Sequence, residues 1–174
     1  TSPIISFDYN RSLDIMASID DHHNLFMSTI QNHKFIYSFR VPCNIKDNHF
    51  VKILNIGLII ISASKPSSSK DFKSSLFFYD LCGKLLKTIQ LNYHIKCLKT
   101  LIDSHQKGYC FVSTSNGSDK SELYVMDLTN IDLMIHYCGN FEPSFIDIVE
   151  YPKTILLLEK IDENSYVFKP IGFI

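Results

Sequence analysis

Glycine, proline and tryptophan are scarce in this chain of 174 residues, which contains six Gly, six Pro and no Trp. Loops that cradle phosphate groups with their backbone need glycine, so the low count argues against a nucleotide-binding loop. The sequence also has no Gly-x-Ser-x-Gly elbow and no His-Glu-x-x-His motif. These absences argue against an enzyme, and we expect neither catalytic residues, nor a cofactor, nor a small-molecule substrate.

The sequence has no excess of either charge and no long apolar run. It contains 17 Lys and Arg against 18 Asp and Glu, and the basic residues are spread along the chain. Nucleic acids and anionic membranes are bound through clustered basic residues, so we expect neither as a direct partner. The most apolar run, residues 53–63, is shorter than the roughly 20 residues that span a bilayer and reads as a buried strand. The first residues do not resemble a signal peptide.

The cysteines form no recognisable pairing pattern. Cys43, Cys82, Cys97, Cys110 and Cys138 are odd in number, and none of them forms a Cys-x-x-Cys pair. In a chain of this length that pattern is typical of reduced thiols in a reducing compartment. We therefore expect a cytoplasmic protein, at most peripheral to membranes.

The apolar residues recur in short runs of five to eight, and no window of helical length carries an apolar stripe at helical spacing. This pattern predicts an all-β fold. The runs form three groups of four predicted strands and a last group of three: 4–9, 13–18, 24–30 and 35–41; 50–56, 58–63, 75–81 and 84–91; 94–101, 109–114, 122–128 and 133–137; 144–150, 154–159 and 165–169.

Residues 4, 50, 95 and 144, at or next to the starts of the first strands, are 46, 45 and 49 residues apart. A period of about 40–50 residues is typical of four-stranded propeller blades. We predict a WD40-like β-propeller with blades at about 1–44, 45–92, 93–139 and 140–174. The last blade is incomplete, and we expect further blades upstream in a larger propeller, because two apolar blade faces would otherwise stay open.

Two aspartates end the third predicted strands of their groups. Asp80 precedes a turn that contains Gly83, and Asp127 occupies the equivalent place one repeat later; Gly117 belongs to another tight turn. We expect each carboxylate to accept hydrogen bonds from the turn backbone and so to fix the turn. The alternative is a repeated carboxylate at the rim of the propeller that contacts a partner.

Two groups of residues were considered as metal ligands. His22 and His23 follow two aspartates in a predicted loop, but adjacent residues of an extended chain point in opposite directions, so a solvated polar turn is preferred. His136 and Cys138 share a strand face, yet no second pair at metal-ligand spacing accompanies them. We expect a buried cysteine beside an ordinary histidine there, and no metal site in the chain. The serines at 67–69 are expected to lie in a solvated loop.

The segment 76–89, Leu-Phe-Phe-Tyr-Asp-Leu-Cys-Gly-Lys-Leu-Leu-Lys-Thr-Ile, resembles the penultimate repeats of the WD40-like propeller at the C-terminus of BEACH-domain proteins. The flanking segments 2–9 and 93–98 are similar to that region as well. Tyr79-Asp80 and Met126-Asp127 stand in the place of the Trp-Asp dipeptide, and the usual Gly-His pair is absent.

This resemblance implies a non-catalytic scaffold in vesicle trafficking, lysosome biology or autophagy. The protein partners would bind the loops at the propeller rim, and membrane association would be indirect, through other domains of the full-length chain. Two alternatives remain open. One is a WD-repeat subunit of a coat, ubiquitin ligase or cytoskeletal complex, and the other is a propeller that acts as an enzyme or binds a ligand.

Overall fold

The computed structural model describes residues 2–43, 47–64, 74–115, 120–162 and 165–173, with side chains from residue 50 onward in the fifth strand. Within those residues the fold is all-β, with fifteen antiparallel strands and no helix. The strands are β1 (Ile4–Asn10), β2 (Ile15–Asp20), β3 (Asn24–Thr29), β4 (Phe35–Arg40), β5 (Asp47–Leu54), β6 (Leu58–Ser64), β7 (Ser74–Asp80), β8 (Leu85–Leu91), β9 (His94–Ile102), β10 (Gly108–Ser115), β11 (Ser121–Asp127), β12 (Asp132–Gly139), β13 (Phe141–Val149), β14 (Thr154–Lys160) and β15 (Tyr166–Gly172).

The prediction of an all-β fold is confirmed, and each predicted segment overlaps one of the strands. The largest differences are of three residues: β15 ends later than predicted, and β5 and β13 begin earlier than predicted. In β5 and β13 the ladder is irregular near its start, between Asp47 and Phe50 and between Phe141 and Ile146. A β-bulge breaks the alternation of apolar and polar residues, so the pattern does not reveal the part of the strand before it.

The strands form four separate sheets in which consecutive strands are neighbours. Three sheets have four strands, β1–β4, β5–β8 and β9–β12, and the fourth has three, β13–β15. Each sheet is a simple antiparallel meander, because each strand pairs with the strand that follows it in sequence. The sheets fall within the four predicted repeat ranges.

The chain divides into two compact units, Thr1–Asn92 and Tyr93–Ile174. The first unit contains the sheets β1–β4 and β5–β8, whose facing sides bury an apolar core formed by residues such as Ile19, Leu25, Met27, Ile59, Ile61 and Phe77. The first strands of the two sheets are adjacent, and Asp8 of β1 accepts a hydrogen bond from Ile53 N of β5 at 2.9 Å. Asn10 Nδ2 donates to Ile53 O at 3.3 Å. The β1–β2 and β5–β6 turns therefore lie at the same end of this unit.

The second unit packs the sheet β9–β12 against β13–β15. Its core contains Phe111, Leu123, Val125, Ile146, Ile155, Leu157 and Phe173. The ring of Phe173 lies edge-on to Phe111, with the centroids 5.2 Å apart. Lys99 of β9 forms an ion pair with Asp147 of β13 at 3.3 Å, so the first strands are again neighbours.

Each unit also has an apolar sheet face that no described residue covers. Asp8 and Asn10 contact β5, so the alternating side chains Phe7 and Tyr9 point to the opposite face, where Phe7 is 64% exposed. In the last sheet Phe168 is 60% exposed and contacts Phe145, with ring centroids 5.8 Å apart. Such faces are the ones that a neighbouring sheet covers in layered β folds.

The most apolar run of the sequence, residues 53–63, forms the end of β5, a turn and most of β6. All residues of β6 are buried. The described part of the chain contains no helix with the length and apolarity that a bilayer crossing requires. All five cysteines lie among the described residues, and none of them forms a disulfide.

Candidate functional site

The turn after Asp80 is held by the aspartate side chain. Asp80 Oδ1 accepts hydrogen bonds from Cys82 N at 2.9 Å and Lys84 N at 2.8 Å. The backbone closes the same turn, because Gly83 N donates to Asp80 O at 3.1 Å and Asp80 N donates to Lys84 O at 3.0 Å. Gly83 has a φ of +81°, a conformation that glycine adopts without the clash of a Cβ atom. The Asp80 carboxylate and Gly83 thus stabilise the same turn.

Two further turns repeat this arrangement. The sequence predicted a polar turn at residues 20–23 but no role for Asp20 in it, and the Asp103 turn was missed. Asp103 Oδ1 accepts hydrogen bonds from His105 N and Lys107 N, both at 2.9 Å, and Asp20 Oδ1 accepts from His22 N and Asn24 N at 3.0 and 2.7 Å. The fourth residue of each turn has a positive φ, as Gly83 has, but the residues there are Gln106 and His23. Without a glycine these turns carry no strong sequence signal.

Asp127 lies at the end of a third strand, as Asp80 does, but its turn is different. The loop to β12 has four residues, as the loop after Asp80 has, but its positive φ falls on the fifth residue of the turn, Ile131. Asp127 Oδ1 accepts a single turn hydrogen bond, from Thr129 N at 2.7 Å. The first sheet uses a hydroxyl at the equivalent place, since Thr29 Oγ1 accepts from Lys34 N at 3.0 Å. The rim-contact alternative for Asp80 and Asp127 stays a prediction. Gly117 and the serines at 67–69 lie outside the described residues.

In the second unit an ion pair joins the Asp103 turn to the neighbouring sheet. Lys153, in the β13–β14 turn, donates to Asp103 Oδ2 at 2.8 Å and to Tyr109 Oη at 3.0 Å. Asp103 is almost fully buried. The hydrogen bond from Lys153, together with those from the turn backbone, lowers the pKa of the Asp103 carboxyl to about 2 although burial opposes the shift. The same pairing raises the pKa of Lys153 above its usual range.

Next to this ion pair lies an exposed aromatic residue. Ser104 N donates to Glu150 Oε1 at 3.1 Å, and the hydroxyl groups of Ser104 and Tyr151 are hydrogen bonded to each other. Tyr151 is 68% exposed. We use the name "rim of the second unit" for Ser104, Glu150 and Tyr151. This rim presents an aromatic ring and a carboxylate on turns that the partly buried ion pair between Asp103 and Lys153 holds together.

The histidines of the Asp20 turn do not assemble a ligand set. The side chain of His22 is 71% exposed, whereas His23 is only 7% exposed, so the two rings lie in different environments. The expectation of a fully solvated turn is therefore wrong for His23. Asp20 uses its oxygens for the turn and for Asn24 Nδ2. Burial raises the pKa of Asp20, but these hydrogen bonds outweigh it and lower the pKa below its usual range.

The other predicted pair gains a third potential ligand from the neighbouring strand. Cys138 Sγ lies 3.5 Å from His136 Nε2 and 3.8 Å from Glu122 Oε1, and His136 Nε2 lies 3.7 Å from the same oxygen. Cys138 is exposed, so the expectation of a buried cysteine is wrong. Glu122 was missed because it belongs to β11, and only the strand register brings it opposite Cys138.

Tyr124 positions two members of this cluster. Its hydroxyl group donates a hydrogen bond to Glu122 Oε2, and its ring stacks on His136 with centroids 4.5 Å apart and an interplanar angle of 11°. Burial, followed by the bond to Glu122, raises the pKa of Tyr124. Loss of hydration and the Glu122 carboxylate also raise the pKa of the Cys138 thiol. The thiol is thus a protonated donor towards Glu122.

A cavity of about 320 Å³ opens on the second unit, at the opposite end from the rim. Its lining includes Ser121, Glu142, Lys96 and Lys160, but Ser121 Oγ donates to Phe141 O and Glu142 Oε1 accepts from Ser144 N. Among the described residues that line it there is no histidine or cysteine. The lining therefore offers no nucleophile paired with a histidine base.

Comparison with known proteins shows similarity of fold alone. No protein-family model matches the chain, and no curated protein sequence matches it. A solved structure titled the computationally designed Ika4 protein superposes with a TM-score of 0.64 at 9% identity, over 99% of this chain and 92% of that chain. A second, titled KlHsv2 with loop 6CD replaced by a Gly-Ser linker, gives 0.57 at 13% identity, over 91% of this chain and 46% of that chain. The chain thus spans about half of KlHsv2, and the resemblance to BEACH-domain proteins stays a prediction.

Proposed function

We propose that this chain forms blades of a β-propeller that acts as a non-catalytic scaffold for protein partners. One observation carries the proposal: in each unit two meander sheets stack with their first strands adjacent, as Asp8 and Ile53 of the first unit do. Stacking of this kind brings turns in equivalent positions to one end of a unit. A propeller repeats the arrangement around an axis, and its rim loops then form a continuous surface for partners.

The open apolar faces support the propeller. Phe7 and Tyr9 occupy alternate positions of β1, as the buried apolar residues of the neighbouring strands do. Phe168 is a similarly exposed aromatic residue on β15. We infer that further blades of the full-length protein cover both faces. A covering sheet would bury these rings, and burial of one such aromatic side chain is worth about 1.5–3 kcal/mol.

The rim of the second unit is the partner surface that we propose. Tyr151 supplies a large, exposed, amphipathic ring, and aromatic residues of this kind dominate the binding free energy of many interfaces. The ion pair between Asp103 and Lys153 holds the two turns together beneath it, which lowers the entropic cost of binding. A protein partner with a pocket for the ring and a donor for Glu150 fits this surface.

The resemblance of residues 76–89 to BEACH-domain proteins carries the finer proposal, a role in vesicle trafficking with membrane contact made by other domains. The reading frame upstream of Thr1 tests it directly. A BEACH domain encoded there supports the assignment, and a different domain architecture overturns it in favour of another WD-repeat scaffold.

The scaffold proposal is tested by quantitative crosslinking mass spectrometry on the full-length protein in cells. We expect Tyr151→Ser to lose crosslinked partner proteins without a change in melting temperature, because the ring is mostly in solvent. Ile161→Ser is the matched control, since Ile161 is 66% exposed in the β14–β15 loop at the other end of the unit. An unchanged set of partners in Tyr151→Ser, or the same losses in both variants, contradicts the proposed surface.

A further inference from the structure

Three side chains with different donor atoms converge on the β11–β12 hairpin. Glu122, His136 and Cys138 place a carboxylate oxygen, an imidazole nitrogen and a thiol sulfur within 4.8 Å of one another. A zinc ion binds sulfur at about 2.3 Å and nitrogen or oxygen at about 2.0–2.1 Å, so the edges of its tetrahedron are about 3.3–3.6 Å long. The separations in the structure, 3.5, 3.7 and 3.8 Å, are close to those edges.

The strand register holds the three donors together independently of any ion. Glu122 pairs with Cys138 and Tyr124 pairs with His136 across the two strands. Side chains of directly paired residues and of their diagonal neighbours lie on one face of a sheet and are close enough to interact. The ligands therefore need little rearrangement to close on an ion.

Tyr124 supplies the kind of outer contact that orients metal ligands. Its hydroxyl group donates to Glu122 Oε2, so Glu122 Oε1 is the oxygen that faces His136 and Cys138. Its ring stacks on the His136 imidazole and fixes the plane of that ring. Outer contacts of this kind fix the direction of a ligand atom before the metal arrives.

We propose that Glu122, His136 and Cys138 bind a divalent transition-metal ion, with zinc as the best match to their donors. A thiol and an imidazole suit zinc, whereas magnesium and calcium take oxygen ligands. Cys138 is exposed and the His136 side chain is 42% exposed, so the fourth position faces solvent and takes water or a ligand from a partner. β12 is an edge strand, and the ion would fasten it to β11.

Cobalt(II) titration of the folded chain, followed by optical absorption, tests this proposal. We expect one cobalt ion per chain, a thiolate-to-cobalt charge-transfer band, and displacement of cobalt by zinc. Cys138→Ser should lose the band, and His136→Ala should weaken binding. Tyr124→Phe keeps the stacked ring but loses the hydrogen bond, and should weaken binding roughly 10-fold or more.

Cys82→Ser is the matched control, because Cys82 is also an exposed cysteine in a β-sheet hairpin but lies outside the cluster. It should keep the full band and affinity. Circular dichroism of every variant verifies folding, which exposed positions such as 138 should tolerate. Absence of the charge-transfer band in the folded wild-type chain, or its loss in Cys82→Ser with retention in Cys138→Ser, overturns the proposal and leaves a cluster held only by hydrogen bonds.

Discussion

Most of the positive-φ residues in the described part of the chain are not glycine. Asp14, His23, His33, Gln106 and Ile131 all have positive φ angles there, and among the described glycines Gly57 and Gly83 adopt that conformation. The left-handed region costs a residue with a Cβ atom about 1–2 kcal/mol. Side-chain hydrogen bonds such as those of Asp20 and Asp103 offset part of this cost, so the low glycine content does not limit the number of turns.

The two turn glycines differ in what surrounds them, and this difference can be measured. A Cβ atom at Gly83 would lie 3.2 Å from the Phe39 ring and 3.3 Å from the Tyr37 ring, whereas the nearest atom at Gly57 is 3.9 Å away. We expect Gly57→Ala to lower the free energy of unfolding by about 1–2 kcal/mol through its backbone alone. Gly83→Ala should lower it further, because Tyr37 is held by a hydrogen bond to Leu81 O and its ring cannot easily move.

Denaturant unfolding of the two variants makes the comparison. Gly172→Ala is the control, since a Cβ atom there meets nothing within 4 Å, and its stability should stay near that of the wild type. Equal losses for Gly57→Ala and Gly83→Ala would show that Phe39 and Tyr37 do not constrain the turn.

At the scale of strands and turns, the short apolar runs were enough to locate each described strand, because every sheet buries at least one face and central strands such as β6 and β10 are buried on both. The apolar pattern did not give the correct first residues of β5 and β13, because the strand pairing is irregular near the start of both strands. The Asp103 turn was missed because Gln106 stands where glycine would mark a turn. Glu122 was missed as a possible ligand because only the register between β11 and β12 places it beside Cys138.

The contact between Asp103 and Lys153 joins two sheets, and its pH dependence follows from the Asp103 pKa. Because the folded-state pKa of about 2 is below the ordinary value of 3.8, the ionised carboxylate stabilises the fold. That contribution is complete above pH 4 and is lost as the pH falls through about 2. We expect the melting temperature to fall over this window, and Asp103→Asn to lower it at neutral pH and to flatten the fall.

Thermal unfolding between pH 2 and 7 measures both effects. Asp21→Asn removes a carboxylate from an exposed turn position and should leave the melting temperature at neutral pH close to that of the wild type. A fall of equal steepness in Asp103→Asn and in the wild type would show that another carboxylate governs the acid transition.

At the scale of the whole molecule, the two apolar faces that carry Phe7 and Phe168 are the main support for a propeller. Both belong to sheets whose other face is packed within its own unit. The propeller proposal says that sheets of the same kind cover these faces in the full-length protein. The scaffold role and the rim surface both rest on that arrangement.

A high-resolution structure of the full-length protein, by crystallography or electron cryomicroscopy, tests the propeller architecture. We expect the faces carrying Phe7 and Phe168 each to pack against another antiparallel meander sheet, with the sheets closing a ring around a central axis. A helix packed on either face, or both faces left in solvent in the full-length protein, would contradict the propeller and the scaffold role that depends on it.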